Sequence, residues 1–216
     1  MMPKYDYLPG SDYRMIQPEN MYHFSSDVQL LGQFMQIHKN DSVLDIGCGS
    51  GALMMYASLG RPAQLCGIDL FPEVIEAAEK NMEINGLKAE FLLGRVQDLK
   101  NRQFSVLVCN PPYFATENSR LINENAFIAA ARHEVYLSTE ELFQAVKRIL
   151  KSNGRFYMVQ RPENLNRILA NAYRNSLGLT RSQYIYDKET SQCRAVLLEF
   201  RFSIKRETVV ETPIFI

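Results

Sequence analysis

The chain has 216 residues, of which 46% are hydrophobic, enough for one domain with a full core and few for two. Its formal net charge is zero, but residues 1–140 hold 11 Lys and Arg against 17 Asp and Glu, and residues 141–216 hold 13 against 7. The two parts therefore carry −6 and +6. A basic C-terminal part is typical of a surface that binds a polyanion, although the same charges could be scattered over a solvated surface.

Membrane and metal-binding patterns are missing from the sequence. No run approaches the ~18 consecutive apolar residues of a membrane span, and the N-terminus lacks the plan of a signal peptide. We therefore expect a cytoplasmic protein. The four cysteines, Cys48, Cys66, Cys109 and Cys193, are far apart and have no neighbouring histidine, so we expect buried free thiols and no metal site.

Short apolar runs alternate with amphipathic stretches along the chain, which predicts alternating strands and helices. Ser26 to Gln29 has the pattern of a capping box and predicts a helix to about Ile37 that covers the sheet edge near the pocket. A second capping pattern, at Ser138 to Glu141, starts a helix that includes Leu150. Other helices are predicted at about 50–59, 72–85 and 162–174. Strands are predicted at 42–46, 64–69, 89–93, 104–109, 155–159, 180–187 and 194–203.

This order predicts an α/β fold with a doubly wound, Rossmann-like sheet. Seven strands are expected, mostly parallel, with an antiparallel strand at the C-terminus. The chain would form one domain, in which residues 1–40 are a covering segment and residues 41–216 are the core. A ligand crevice is expected at the carboxyl ends of the strands, where the strand order reverses.

The first core strand leads into a glycine-rich turn, Asp45-Ile46-Gly47-Cys48-Gly49-Ser50-Gly51. Because glycine has no Cβ, such a turn lets the backbone approach a ligand closely and is typical of a nucleotide-type pocket. Its spacing differs from the G-x-G-x-x-G of dinucleotide sites. We predict that Asp45, Gly47, Gly49 and Gly51 contact a cofactor; the alternative is that the glycines serve only a tight turn.

Two further acids are candidates for the same cofactor. Asp69 ends the second core strand about 20 residues after the glycine turn, where a carboxylate can accept hydrogen bonds from both ribose hydroxyls. A cap for the helix that begins at Pro72 is the other interpretation. Asp98 follows the third core strand and could accept a hydrogen bond from the adenine amine.

The fourth core strand ends in Asn110-Pro111-Pro112-Tyr113-Phe114. Two prolines keep the backbone rigid and extended at the mouth of the pocket. The Asn110 side-chain oxygen and the Pro111 carbonyl can accept from the two hydrogens of one planar NH₂ group, while Tyr113 offers a face for stacking. We predict that these residues form the catalytic loop, that Asn110 also borders the cofactor, and that the loop acts by positioning an amine for attack. The alternative is an ordinary turn.

Together these motifs resemble the amino-methyltransferase branch of the class I methyltransferases, over roughly residues 40–160. Tyr22 to Asp27 and Ala131 to Glu134 are further similar to the bacterial tRNA adenine-N6 methyltransferase family. The resemblance implies S-adenosyl-L-methionine as methyl donor and RNA as partner, specifically the adenosine next to the anticodon of a valine tRNA. It implies RNA contacts for Tyr113, Phe114, Arg132 and His133; for the last two, a buried salt-bridged turn is an alternative.

Four other functions fit parts of the pattern. A release-factor glutamine methyltransferase uses the same tetrapeptide for a side-chain amide, but such proteins usually carry a helical domain before the glycine turn. Ribosomal guanine-N2 methylation is a further possibility. A nicotinamide-dependent oxidoreductase would explain the glycine turn but not Asn110 to Tyr113, and a non-catalytic RNA-binding module would explain the charge pattern alone.

Overall fold

A computed structural model of the chain describes residues 5–17, 25–111, 137–203 and 207–216. The N-terminal strands are β1 (Asp6–Tyr7) and β2 (Arg14–Met15). The helices are α1 (Ser26–Phe34), α2 (Ala52–Ser58), α3 (Pro72–Ile84), α4 (Thr139–Ile149) and α5 (Leu165–Arg174). The remaining strands are β3 (Ser42–Ile46), β4 (Gln64–Asp69), β5 (Glu90–Leu93), β6 (Phe104–Cys109), β7 (Leu150–Gln160), β8 (Gly178–Tyr186), β9 (Cys193–Arg201), β10 (Val209–Val210) and β11 (Ile214–Phe215).

Seven long strands form the centre of the sheet in the order β8-β9-β7-β6-β3-β4-β5. Strand β9 is antiparallel to both of its neighbours, and the other pairs among the seven are parallel. The predicted doubly wound, mostly parallel sheet with an antiparallel C-terminal strand is confirmed. The two-residue strands β10 and β11 add parallel to β8, so that the described sheet has nine strands.

The sheet separates two apolar layers. Because successive side chains of a strand point to opposite faces, Val43 and Leu44 of β3 belong to different clusters. Helices α1 and α2 pack in the first cluster, and α4 and α5 pack in the second. No helix among the described residues is both long and apolar enough to cross a membrane.

Helix α1 differs from its prediction at both ends. Its N-cap is Ser25, which makes no capping bond through its side chain, and the helix ends at Phe34, so the predicted Ser26 capping box and the end near Ile37 are wrong. The buried face of the helix is formed by Val28, Leu31 and Phe34. The helix covers the face of the sheet over β7 and β9, not an edge.

The other boundaries agree with the sequence except in one region. Ser138 and Glu141 form the predicted capping box at the start of α4, and Gly86 follows α3 with a φ of 65°. Strand β7 begins directly after α4, at Leu150, and is longer than predicted. Leu150 pairs with Phe104 of β6 before a register shift in the ladder, a long-range pairing that no local pattern indicates.

Candidate functional site

The glycine turn and the Asn110 loop meet where the strand order reverses, between β3 and β6. The register aligns Gly47, Asp69 and Asn110, because the residues that precede them are paired across β3, β4 and β6. Adjacent strands lie about 4.8 Å apart, so the backbones of Asp69 and Asn110 are about 10 Å apart. The tertiary structure thus places three sequence motifs around one crevice, as Rossmann-like folds require for a ligand.

The glycine turn leaves space on its ligand side. Gly47, Gly49 and Gly51 have φ values of 70°, 53° and 86°, in the left-handed region that favours glycine. A Cβ at Gly47 or Gly49 would meet no atom within 4 Å, whereas one at Gly51 would lie 3.0 Å from the Met82 Cε. The first two glycines therefore border open space, and the third lets α3 pack against the turn.

Asp69 ties the glycine turn to the end of β4. Its Oδ2 accepts a hydrogen bond from the Gly49 N–H (3.1 Å), and its Oδ1 accepts from the N–H groups of Leu70 (2.7 Å) and Phe71 (3.4 Å). The N-cap of α3 is Phe71, so Asp69 does not cap that helix. Burial raises the pKa of Asp69, and the three N–H donors lower it in part. A carboxylate has about four acceptor positions, which leaves room for a ligand hydroxyl.

Asp45 is a buried carboxyl without a hydrogen-bond partner in the described structure. Its side chain is 1% exposed, and neither oxygen is satisfied by the protein. Burial raises its pKa well above the usual range, and the negative charge of Asp69 raises it further. An orphaned acceptor at a glycine turn fits a ligand that brings a positive charge or N–H donors, such as an amino-acid ammonium group.

The Asn110 loop is described only at its start. Asn110 follows β6 directly and is half-buried, and Pro111 is buried. The other predicted loop and substrate residues lie outside the described residues: Pro112, Tyr113, Phe114, Arg132 and His133. Tyr22, His23 and Phe24 and all of Ala131 to Glu134 also lie outside them.

Asp98 is the exposed last residue of the 3-10 turn Val96–Asp98, which packs against α4 through the buried Val96. Its N–H donates to the Arg95 carbonyl (3.0 Å). The structure therefore brings Asp45, Asp69 and Asn110 together at the crevice, and the Asp98 side chain is exposed.

Sequence reasoning missed Asn81, a fully buried side chain of α3 that hydrogen-bonds the carbonyl of Ser50 in the glycine turn (2.9 Å). The signal was available, because Asn81 lies in phase with the buried Val74 and Ala78 on the apolar face of the helix. An amide on such a face must find partners when it is buried.

The cysteines are free thiols: Cys48, Cys66 and Cys109 are buried, and Cys193 is half-buried. Burial raises the pKa of Cys48 and Cys109 well above the usual range, so both stay protonated. In the part of the chain that is described, no group of three or more His, Cys, Asp or Glu side chains could hold a metal ion.

The fold and the crevice define a Rossmann-like enzyme with a nucleotide-type cofactor site. A family model described as "Methyltransferase domain" matches residues 37–192, and the chain belongs to this family. It is an enzyme that transfers methyl groups, with S-adenosylmethionine as the methyl donor.

The most similar proteins include two curated relatives named tRNA1(Val) (adenine(37)-N6)-methyltransferase. The one from Dyadobacter fermentans is 24% identical over 100% of this chain and 90% of its own length. The one from Phocaeicola vulgatus is 27% identical over 84% of this chain and 77% of its own. A solved structure of a predicted O-methyltransferase from Agrobacterium tumefaciens has a TM-score of 0.68 at 16% identity, covering 88% of this chain and 86% of that one. At that identity the likeness supports the fold alone.

Proposed function

We propose that this enzyme transfers a methyl group from S-adenosylmethionine to the exocyclic N6 amine of an adenine in RNA, in the anticodon loop of a tRNA. The observation that carries the proposal is the position of Asn110, directly after β6 and level with Asp69 and Gly47. The names of the two curated relatives support the choice of an adenine in tRNA.

The donor would be held by the glycine turn and its neighbouring acids. Gly47 and Gly49 leave open space, Asp69 would accept a hydrogen bond from a ribose hydroxyl, and the orphaned Asp45 carboxyl would face the ammonium end. Gly51 shapes the turn, and Asn110 borders the donor on the acceptor side. The exposed Asp98 carboxylate would accept a hydrogen bond from the adenine amine of the donor.

S-adenosylmethionine supplies an electrophilic methyl group when it is bound. An adenine amine is a poor nucleophile, because its lone pair is delocalised into the ring. The Asn110 side-chain oxygen and the Pro111 carbonyl would accept the two N–H groups and favour a pyramidal nitrogen with its lone pair free for attack. The amine loses a proton only as the N–C bond forms, so these two acceptors suffice without a strong base.

The rest of the loop would hold the acceptor base. Pro112 keeps the backbone extended, and Tyr113 and Phe114 would stack on the base. Arg132 and His133 are candidates for RNA contacts. A base in an unstacked loop suits such a site, because little energy is needed to extrude it. A tRNA substrate would place the enzyme in the cytoplasm.

The test is incubation of the enzyme with unmodified bulk tRNA and methyl-labelled donor, followed by digestion to nucleosides. We expect label in N6-methyladenosine. Asn110→Ala protein in the same preparation is the control for contaminating activity. Label in methylguanosine, or label found only in a protein substrate, would overturn the proposal and favour guanine-N2 or glutamine methylation respectively.

A further inference from the structure

The side chain of Asn81 joins the N-terminal segment, residues 5–17, to the glycine turn. Its Oδ1 accepts a hydrogen bond from the Ile16 N–H (2.7 Å). Its Nδ2 donates to the carbonyls of Ile16 (3.0 Å) and Ser50 (2.9 Å). Both Nδ2 hydrogens of Asn81 are therefore used. The side chain is 0% exposed, so water cannot replace these partners.

Asn85, the C-cap residue of α3 four residues after Asn81, binds the same segment in the same way. Its Oδ1 accepts from the Arg14 N–H (2.9 Å), and its Nδ2 donates to the Arg14 carbonyl (2.7 Å). The second Nδ2 hydrogen bond goes to the Asn81 carbonyl (2.7 Å) within the helix. The two asparagines thus bind alternate residues of the segment as a neighbouring strand would, but only Asn81 also reaches the glycine turn.

Apolar contacts hold the N-terminal segment independently of these amides. Leu8 and Met15 are 1% and 2% exposed and belong to the core cluster that contains α1 and α2. The Tyr56 hydroxyl donates to the Pro9 carbonyl (2.8 Å). The segment is therefore a docked part of the core, and losing one asparagine should loosen it locally without releasing it.

The contact with Ser50 controls one peptide unit of the turn. The Ser50 carbonyl accepts from Asn81, and the Gly51 N–H of the same peptide donates to the Cys48 carbonyl (2.9 Å). This peptide is thus held on both sides. Because the Cys48–Gly49 peptide, which accepts that Gly51 N–H, is itself held through the Gly49 N–H on Asp69, the shape of the turn depends on both contacts.

We propose that Asn81 is a positioning residue that couples docking of the N-terminal segment to the donor-binding shape of the glycine turn. The proposal rests on the assignment of the donor to this turn. Coupling between two sites is reciprocal, so a ligand that orders the turn must also strengthen the bond between Asn81 and Ile16.

The first experiment compares donor binding in Asn81→Ala and Asn85→Ala, with S-adenosylhomocysteine as the calorimetric ligand. We expect Asn81→Ala to raise the Kd about tenfold, a common size for coupled sites, and Asn85→Ala to leave it nearly unchanged. Thermal unfolding of both variants sets a temperature at which both are folded. An equal rise in Kd in the two variants would overturn the role of Asn81, because both loosen the segment and only one touches the turn.

The second experiment needs no variant and so does not depend on how Asn81→Ala folds. Amide hydrogen exchange of the wild-type protein is measured with and without saturating S-adenosylhomocysteine, and we expect exchange at Ile16 to slow when the ligand binds. Protection of residues 47–51 with no change at Ile16 would overturn the coupling alone. If the ligand does not bind at all, the donor assignment fails instead, so the two failures are distinguishable.

Discussion

At the scale of single residues, Asn110 at the end of β6 and Asp69 at the end of β4 are at the same height on either side of β3. They are expected to bind different ligands. Asn110 should touch the acceptor amine, which matters only for transfer. We expect Asn110→Ala to lower kcat by at least about a hundredfold, as losses of positioning do, and to leave the donor Kd within a factor of about two. Steady-state kinetics and calorimetry check both. A parallel loss of donor binding would contradict the assignment to the acceptor.

Asp69 is expected to show the opposite pattern. Its removal takes away the proposed ribose acceptor and the bond from Gly49, so Asp69→Ala should weaken donor binding first. We expect a rise in donor Kd of about tenfold or more, the size that follows from losing one charged hydrogen bond. Calorimetry with S-adenosylhomocysteine measures it, and circular dichroism controls for folding. A Kd equal to that of the wild type would refute the ribose contact.

Asp45 should make the stability of the ligand-free enzyme depend on pH. The pKa of Asp45 in the folded state is raised above the ordinary value of about 3.9. The contribution of the neutral carboxyl to stability is therefore fully present at low pH and is lost as pH rises through the folded pKa. We expect the free energy of unfolding of the wild type to fall relative to Asp45→Asn by up to about 1.4 kcal/mol per pH unit in that range. Urea unfolding from pH 4 to 8 measures the difference. Curves that stay parallel would show that Asp45 does not titrate in this way.

At the scale of elements, the two predicted capping boxes had different outcomes. At α4 the Ser138 Oγ accepts from the Glu141 N–H (3.2 Å), and the Glu141 carboxylate accepts from the Ser138 N–H (2.9 Å). At α1 the pattern at Ser26 is present in the sequence, but the N-cap is Ser25, whose side chain makes no capping bond. The same local pattern therefore marks the start of one helix correctly and misses the start of the other by one residue, within the usual uncertainty of helix ends.

The intact box at α4 gives a stability prediction. We expect Ser138→Ala to lower the free energy of unfolding by about 1 kcal/mol, the usual cost of losing an N-cap hydroxyl. Ser138→Thr, which keeps the hydroxyl, should stay close to the wild type. Chemical denaturation compares the three proteins. Equal losses in both variants would mean that the cost comes from packing and not from the cap.

At the scale of the whole molecule, four arginines of residues 141–216 are paired with other groups of the fold. Arg155 is buried and pairs with Asp41, and Arg181 and Arg201 both pair with the buried Glu199. Arg148 donates to backbone carbonyls of the turn that precedes β6. The +6 of this part of the sequence is therefore not a single basic face.

Two arginines nevertheless lie on the side of the sheet that carries the crevice, where the parallel strands have their carboxyl ends. Arg161 follows the carboxyl end of β7 and donates to the carbonyl of Arg194, which lies at the start of the antiparallel β9. Lys147 and Arg174 lie near the C-terminal ends of α4 and α5, which lead into β7 and β8. These two residues are therefore at the amino ends of the strands, away from the crevice.

This placement predicts which charges contact RNA. If Arg161 and Arg194 bind phosphates, each alanine variant should weaken tRNA binding and reduce the slope of log K against log salt by about 1. Lys147→Ala and Arg174→Ala are matched controls and should change neither. Filter binding over a series of salt concentrations measures the slopes. Equal effects of all four variants would indicate a diffuse electrostatic attraction and no defined binding surface beside the crevice.

The sequence alone determined the alternation of strands and helices, the glycine turn and the proline-bounded end of β6, because each depends on local periodicity or on residues with restricted backbones. The class of sheet followed from that alternation. The tertiary structure decided the boundaries of α1, the early start of β7 and the internal pairing of the arginines. It alone showed that Asn81 joins Ile16 to Ser50, residues 65 and 31 positions away along the chain. Contacts of that span depend on which faces are buried together, and a local pattern contains no information about its distant partner.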